Sequence, residues 1–195
     1  MADAPQAAAP TSNAPSHVLM ALYMNDRDRA QTLADGVTLT LPELAAFGHV
    51  GRVARHVTEH PDDLQVYSPD GWTALHLAGY FGFAAVTVYL LRAGASHAAR
   101  STNAQGNTPL HAAIAGRREL PVITALLSAG SDATAVDAQG YTPLHLAASR
   151  GDVAVSELLM ACGADPAVRT RDGKLAGDLA REHGHPDLAA SLSQP

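Results

Sequence analysis

Gly140-Tyr-Thr-Pro-Leu-His-Leu-Ala147 decides how the rest of the chain is read, because two upstream segments repeat it: Gly71-Trp-Thr-Ala-Leu-His-Leu-Ala78 and Gly106-Asn-Thr-Pro-Leu-His-Ala-Ala113. Counting Gly173, the leading glycines stand 35, 34 and 33 residues apart. A second set, Gly48, Gly82, Gly116, Gly151 and Gly184, has spacings of 34, 34, 35 and 33. Two registers with one period describe a chain of repeated supersecondary units, not a single irregular globule.

Within each unit the residue types dictate two helices. Thr108 and Thr142 offer a hydroxyl where the first amides of a helix lack acceptors. Pro109 and Pro143 follow in the first turn, where a missing N–H costs nothing. Ala78-Gly79, Ala112-Ala113 and Ala147-Ala148 are small enough for neighbouring helices to approach closely, and Gly82 and Gly151 suit the left-handed conformation that ends a helix. The second helix carries an apolar stripe at helical spacing, Val86, Leu90 and Leu91 in one unit and Val155, Leu158 and Leu159 in another. Gly94, Gly130 and Gly163 close it. Gly71 to Gly94 and Gly140 to Gly163 are each 23 residues, but Gly106 to Gly130 is 24, so that unit has one extra residue between its helices and Pro121 is expected to begin its second helix. Gly94 to Gly106 is 12 residues against 10 in the two later units, which makes the loop Arg100 to Gln105 two residues longer. Insertions in a stack map to loops on one face, often the binding face.

The T-P-L-H-x-A signature and the period near 33 resemble the ankyrin repeat family over three consecutive units, and the likeness covers most of residues 38–193. The resemblance implies an all-α ankyrin-repeat solenoid of stacked helix-turn-helix units with short hairpin loops. It implies that His76, His111 and His145 hydrogen-bond between the backbones of adjacent units. It also implies a non-catalytic protein–protein interaction module whose partner lies on the concave side, formed by hairpin tips and the first helices. Residues 1–15, with six Ala and three Pro, are expected to be a flexible tail. The repeat domain then spans 16–195, with degenerate units at 16–37 and 38–67, well-formed units at 68–102, 103–136 and 137–169, and a C-terminal capping unit at 170–195 that has lost the Thr, Pro and His. Only twelve residues separate Gly36 from Gly48, too few for a full hairpin.

Composition narrows the function. Of 195 residues, 47% are hydrophobic and 16% charged, enough apolar surface for a core. A net charge of -6 has the wrong sign for a protein that neutralises phosphates, so nucleic acid is not expected as a partner. The longest apolar run, Val18 to Met24, falls far short of the roughly twenty residues that span a bilayer, so no membrane association is expected. Cys162 is the single cysteine; it reads as a core filler, and its solitude fits a reducing, cytoplasmic location. Met1 to Pro15 lacks the basic start and apolar stretch of a secretory signal. Abundant alanine and an arginine bias, with Lys174 the one lysine, suit a GC-rich bacterial genome. A monomer is expected, binding a protein partner.

Ten histidines invite a search for chemistry. His56-Val-Thr-Glu59-His60 has the H-x-x-E-H spacing that places two imidazoles on one helix face with a carboxylate between, and a zinc-dependent hydrolase is the alternative reading. Against it, Pro61 ends the helix and no third ligand is recognisable. His183, His185 and Asp187 read as a solvated turn, as do Arg117, Arg118 and Glu119. No catalytic, metal-binding or cofactor-binding residue is assigned, and no cofactor is expected. Partner contact is expected at Trp72, Tyr80, Phe81, Asn107, Tyr141 and Arg150. Trp72, Asn107, Tyr141 and Lys174 follow the hairpin glycines. Tyr80 and Phe81, Ala115, and Ser149 and Arg150 precede the glycine that ends each first helix. Aromatics are only 5% of the chain, so their gathering at nominally exposed positions is informative, aromatic residues and Arg being enriched among interface hot spots. The competing expectation is that Trp72 or Phe81 folds onto the neighbouring unit to cover core.

Overall fold

The computed structural model describes residues 16–117 and 119–193. The expected tail, 1–15, and Arg118 lie outside the described residues. Helices follow one another in pairs: α1 (His17–Tyr23) and α2 (Arg27–Ala34), α3 (Leu41–Phe47) and α4 (Val50–Glu59), α5 (Ala74–Phe81) and α6 (Ala84–Arg92), α7 (Pro109–Ala115) and α8 (Leu120–Ser128), α9 (Pro143–Ser149) and α10 (Val153–Ala161), α11 (Ala176–Glu182) and α12 (Pro186–Leu192). A 3-10 segment, Pro61–Gln65, follows α4. Among the described residues no strand forms; the chain is an all-α stack whose hairpin tips retain one isolated bridge, between Tyr67 and Thr73.

The first helices pack side by side, α3 on α5, α5 on α7, α7 on α9 and α9 on α11, each with its own second helix behind it. Helices this short need such packing, because a few turns of isolated helix are not stable in water. Leu75, Leu77, Leu110, Ile114 and Leu144 on the first helices are buried, and Val86, Leu90, Val122, Ile123, Leu126, Val155 and Leu159 on the second helices complete a continuous interior. The stripe predicted from spacing is therefore core, with Leu91 and Leu158 half-buried at its margin. Small residues set the closeness of the layers: a Cβ added to Gly79 would stand 3.2 Å from the carbonyl oxygen of Pro109. Gly82 caps α5 with φ +79°.

One internal joint recurs in each well-formed unit. Thr73, Thr108 and Thr142 are the N-caps of α5, α7 and α9, and each hydroxyl oxygen accepts the amide of the histidine three residues on. The Nδ1 of that histidine accepts in return from the threonine amide, at 3.3, 3.4 and 3.1 Å. The other ring nitrogen reaches the next unit: Nε2 of His76 donates to the carbonyl of Asn107 at 2.9 Å, His111 to Tyr141 at 3.1 Å and His145 to Lys174 at 3.2 Å. A carbonyl only accepts, so these rings are neutral with the proton on Nε2. Burial pushes the pKa of His76 down to about 4 and lowers those of His111 and His145, which keeps them so. The second and the last helix pairs replace the imidazole with a carboxylate, Glu43 on the amide of Thr40 at 2.9 Å and Asp178 on the amide of Leu175 at 3.0 Å.

Two local expectations need adjusting. Cys162 is no core filler: it caps the end of α10 and is exposed. Pro121 occupies the first turn of α8, but the helix starts one residue earlier, at Leu120. The extra residue between α7 and α8 leaves Gly116 with φ -85° and ψ -127°, pressed so closely on the backbone of Tyr80 that any side chain would clash. The neighbouring amide of Arg117 donates to the Tyr80 carbonyl at 3.0 Å.

Candidate functional site

A groove of about 440 Å³ lies between the hairpin tips and the inner helices of three successive units. Its tip wall is Asp70, Trp72, Gln105, Asn107, Asp137 and Gln139, its helical floor is Tyr80, Ala115 and Leu146, and Tyr23 of α1 closes one end. The tips are held in register by a repeated backbone pattern. Ser68, Ser101, Asp137 and Thr170 each donate across their own tip, to Trp72, Asn107, Tyr141 and Lys174. Thr102, Ala138 and Arg171 each donate to the preceding tip, at Gly71, Gln105 and Gln139. The longer loop at Arg100–Gln105 lies in this wall. Its Asn103 side chain is spent on bracing, accepting from Ser101 and Gln105 and donating to the carbonyl of Asp70 at 3.1 Å.

The residues expected to meet a partner divide into two groups. Trp72, Tyr80 and Asn107 line the groove, whereas Phe81, Tyr141 and Arg150 are not among its lining residues. Their exposure differs from expectation: Trp72 is 9% exposed, Phe81 6% and Asn107 7%. Phe81 is covered by Tyr23, and Trp72 packs on Tyr80 and His76. The Tyr23 ring stacks on Phe81 at 5.5 Å and meets Tyr80 edge-on at 5.6 Å, while Tyr80 meets Trp72 edge-on at 5.7 Å. The aromatic gathering visible in the sequence is thus covered in part by the chain's own first helix. Arg150 is exposed and its guanidinium donates to the carbonyl of Ala115. Tyr141 is half-buried with its ring edge-on to His145 at 5.8 Å. In the second row, the Ser149 hydroxyl donates to the carbonyl of Leu146.

Sequence reasoning missed Tyr23, Asp70, Gln105, Asp137, Gln139 and Leu146. The polar residues of the tips recur at the period, one or a few residues before the hairpin glycines, and that recurrence is the signal that could have found them. Nothing comparable marks Tyr23, whose place depends on how α1 lies. Ser16, the N-cap of α1, donates to Glu43 at 2.6 Å, so the helix starts against α3. Beyond its end Asn25 accepts from Arg117 at 3.1 Å and Arg27 sits over the Phe83 ring at 5.4 Å. Arg117 is therefore tied to the N-terminal segment. The Tyr23 hydroxyl donates to Asp70 at 2.8 Å, and burial together with that carboxylate raises its pKa.

The H-x-x-E-H segment does not assemble a metal centre. His56 and His60 have ring centroids 5.0 Å apart, but His56 Nε2 is engaged by Asp63 at 2.7 Å and Glu59 faces solvent. Among the described residues no group of three or more His, Cys, Asp or Glu side chains converges as a metal site. That region instead forms a small pocket of about 180 Å³ shared by Arg52, Arg55, His56 and Glu59 with Val37–Leu39 and Leu44. Nor is any helix among the described residues long and apolar enough to cross a membrane.

Comparison with known proteins agrees with this geometry. A family model of ankyrin repeats (3 copies) matches residues 43–137, and an ankyrin repeat model matches residues 139–171. No curated protein matches the chain.

Proposed function

The chain belongs to the ankyrin repeat family, and on that footing we propose that it is a non-catalytic module that binds a partner protein along the concave groove between its hairpin tips and first helices. Ankyrin repeats are protein-interaction units in general; the observation that supports this face in particular is the groove itself, which spans three units and keeps polar tips beside an apolar floor. A stack braced by histidine joints and tip-to-tip bonds presents these groups with little freedom left to lose, which lowers the entropic cost of association. In this reading Tyr80, Asn107 and the remaining edge of Trp72 touch the partner, Tyr141 and Arg150 extend the contact along the units, and Phe81 supports the face from beneath. The single cysteine favours a reducing, cytoplasmic setting and the charge of -6 a protein partner instead of nucleic acid; the chain is read as a monomer.

A photo-crosslinking amino acid at exposed Gln139 on the tip wall, compared with one at exposed Glu157 on α10, tests the face. Adducts with a partner protein are expected from Gln139 and not from Glu157. The reverse pattern would assign binding to the outer helices.

A further inference from the structure

The groove carries carboxylates and no basic side chain, which bears on what fills it. Its ten lining residues include two carboxylates, Asp70 and Asp137, and three amides, but no Lys, Arg or His. Asp70 is 8% exposed, and its two oxygens are held by the neutral hydroxyls of Ser68 at 2.5 Å and Tyr23 at 2.8 Å. No ion pair with a cation is formed by it among the described residues. Asp137 engages Oδ1 with the amides of Gln139 and Tyr141, both at 2.8 Å, and Oδ2 takes no hydrogen bond among the described residues. Asn107, buried between them, has an Oδ1 with no partner, although a buried acceptor is costly to leave unmet. Arg100, on the neighbouring tip, is committed to the carbonyls of Gly106 and Val136. Tyr23, Trp72 and Tyr80 supply an aromatic wall beside these acceptors, and cations are attracted to aromatic faces.

Resting on the proposed concave-face reading, we infer that the groove takes an extended, arginine-bearing segment of the partner protein, with a guanidinium seated against the aromatic wall between Asp70, Asn107 and Asp137. Arginine fits better than lysine: the acceptors stand on three successive tips, and a planar fork with five donors can meet acceptors of adjoining tips at once, where an ammonium is a point charge. The aromatic wall adds stacking, which a guanidinium also favours. Ala115 and Leu146 then meet the apolar part of the segment.

A random 12-residue peptide library displayed on phage and selected on the full chain supplies the probe. The strongest peptide is synthesised and titrated by fluorescence polarisation. Enriched peptides are expected to carry arginine. Replacing that arginine by citrulline, which keeps shape and removes charge, should weaken binding about tenfold or more, and by lysine less. Asp137→Asn keeps the Oδ1 acceptor for both amides and should weaken binding about threefold to tenfold with an unchanged melting temperature. Should that variant not fold, the citrulline peptide alone decides. Peptides without arginine that nonetheless bind less tightly to Leu146→Ala overturn the arginine assignment while leaving the face in place. Peptides indifferent to both Asp137→Asn and Leu146→Ala overturn the face itself, and so does the absence of any enrichment.

Discussion

The imidazole of His76 joins two units through both of its nitrogens, and its neutrality is part of the joint. Protonation would place a second N–H against the threonine amide and hydroxyl that Nδ1 now accepts from, in a buried site. A buried base with a lowered pKa stabilises the fold fully above its unfolded value near 6.5, and that contribution fades as pH falls through the folded value of about 4. Equilibrium unfolding in urea at stepped pH should therefore show stability dropping between pH 6.5 and 4, by roughly 3 kcal/mol from His76 alone at the lower end. His111 and His145, shifted in the same direction, add to the fall. A flat profile across that window would mean that these rings are not buried neutral. His111→Ala at neutral pH should cost about 2 to 4 kcal/mol, because it leaves the carbonyl of Tyr141 and the amide of Thr108 unmet as well as opening a cavity. Trp72 belongs to the same class of residue: Trp72→Ala should lower stability by about 3 kcal/mol or more, so it is a poor probe of binding on its own.

At the scale of one element, a helix here is specified by its ends. Thr142→Ala should lower unfolding free energy by about 1 kcal/mol, read as a shift of the urea midpoint with an unchanged slope. The caps were legible in the sequence because cap chemistry is local: Thr, Pro and the histidine three residues later lie within one turn. The stripe of α6 and α10 was legible for the same reason, being periodic. The course of α1 was not. An apolar run from Val18 to Met24 announces a helix, but which surface it covers is decided by groups far along the chain, Asp70, Phe81 and Arg117, with no spacing to betray them. The aromatic cluster was therefore visible as a composition anomaly and misjudged in exposure. Tyr23→Phe tests its anchoring: removal of the hydroxyl leaves a buried carboxylate oxygen of Asp70 without its donor and should cost about 1 to 2 kcal/mol by thermal or urea unfolding. A neutral result would show that Asp70 finds another donor as readily.

Over the whole molecule, the units from residue 38 onward pack on their neighbours while the first reaches past its own to Asp70, Phe81 and Arg117, so stability is carried largely by interfaces in a line and the end units matter out of proportion to their length. Removing residues 170–195 deletes α11, strips the cover from α9 and leaves the Nε2–H of His145 without its acceptor; the truncated chain should melt lower and self-associate, checked by calorimetry and size-exclusion chromatography. The carboxylates of Glu43 and Asp178 give the stack a polarity. Each histidine passes one hydrogen forward to a backbone oxygen in the following layer, whereas Asp178 has none to pass. A spare layer grafted beyond Asp178 would receive no hydrogen from it, but one spliced between residues 103 and 169 would find a giver on one side and a taker on the other. The protein is thus lengthened from its middle, like a sentence that admits another clause before its full stop.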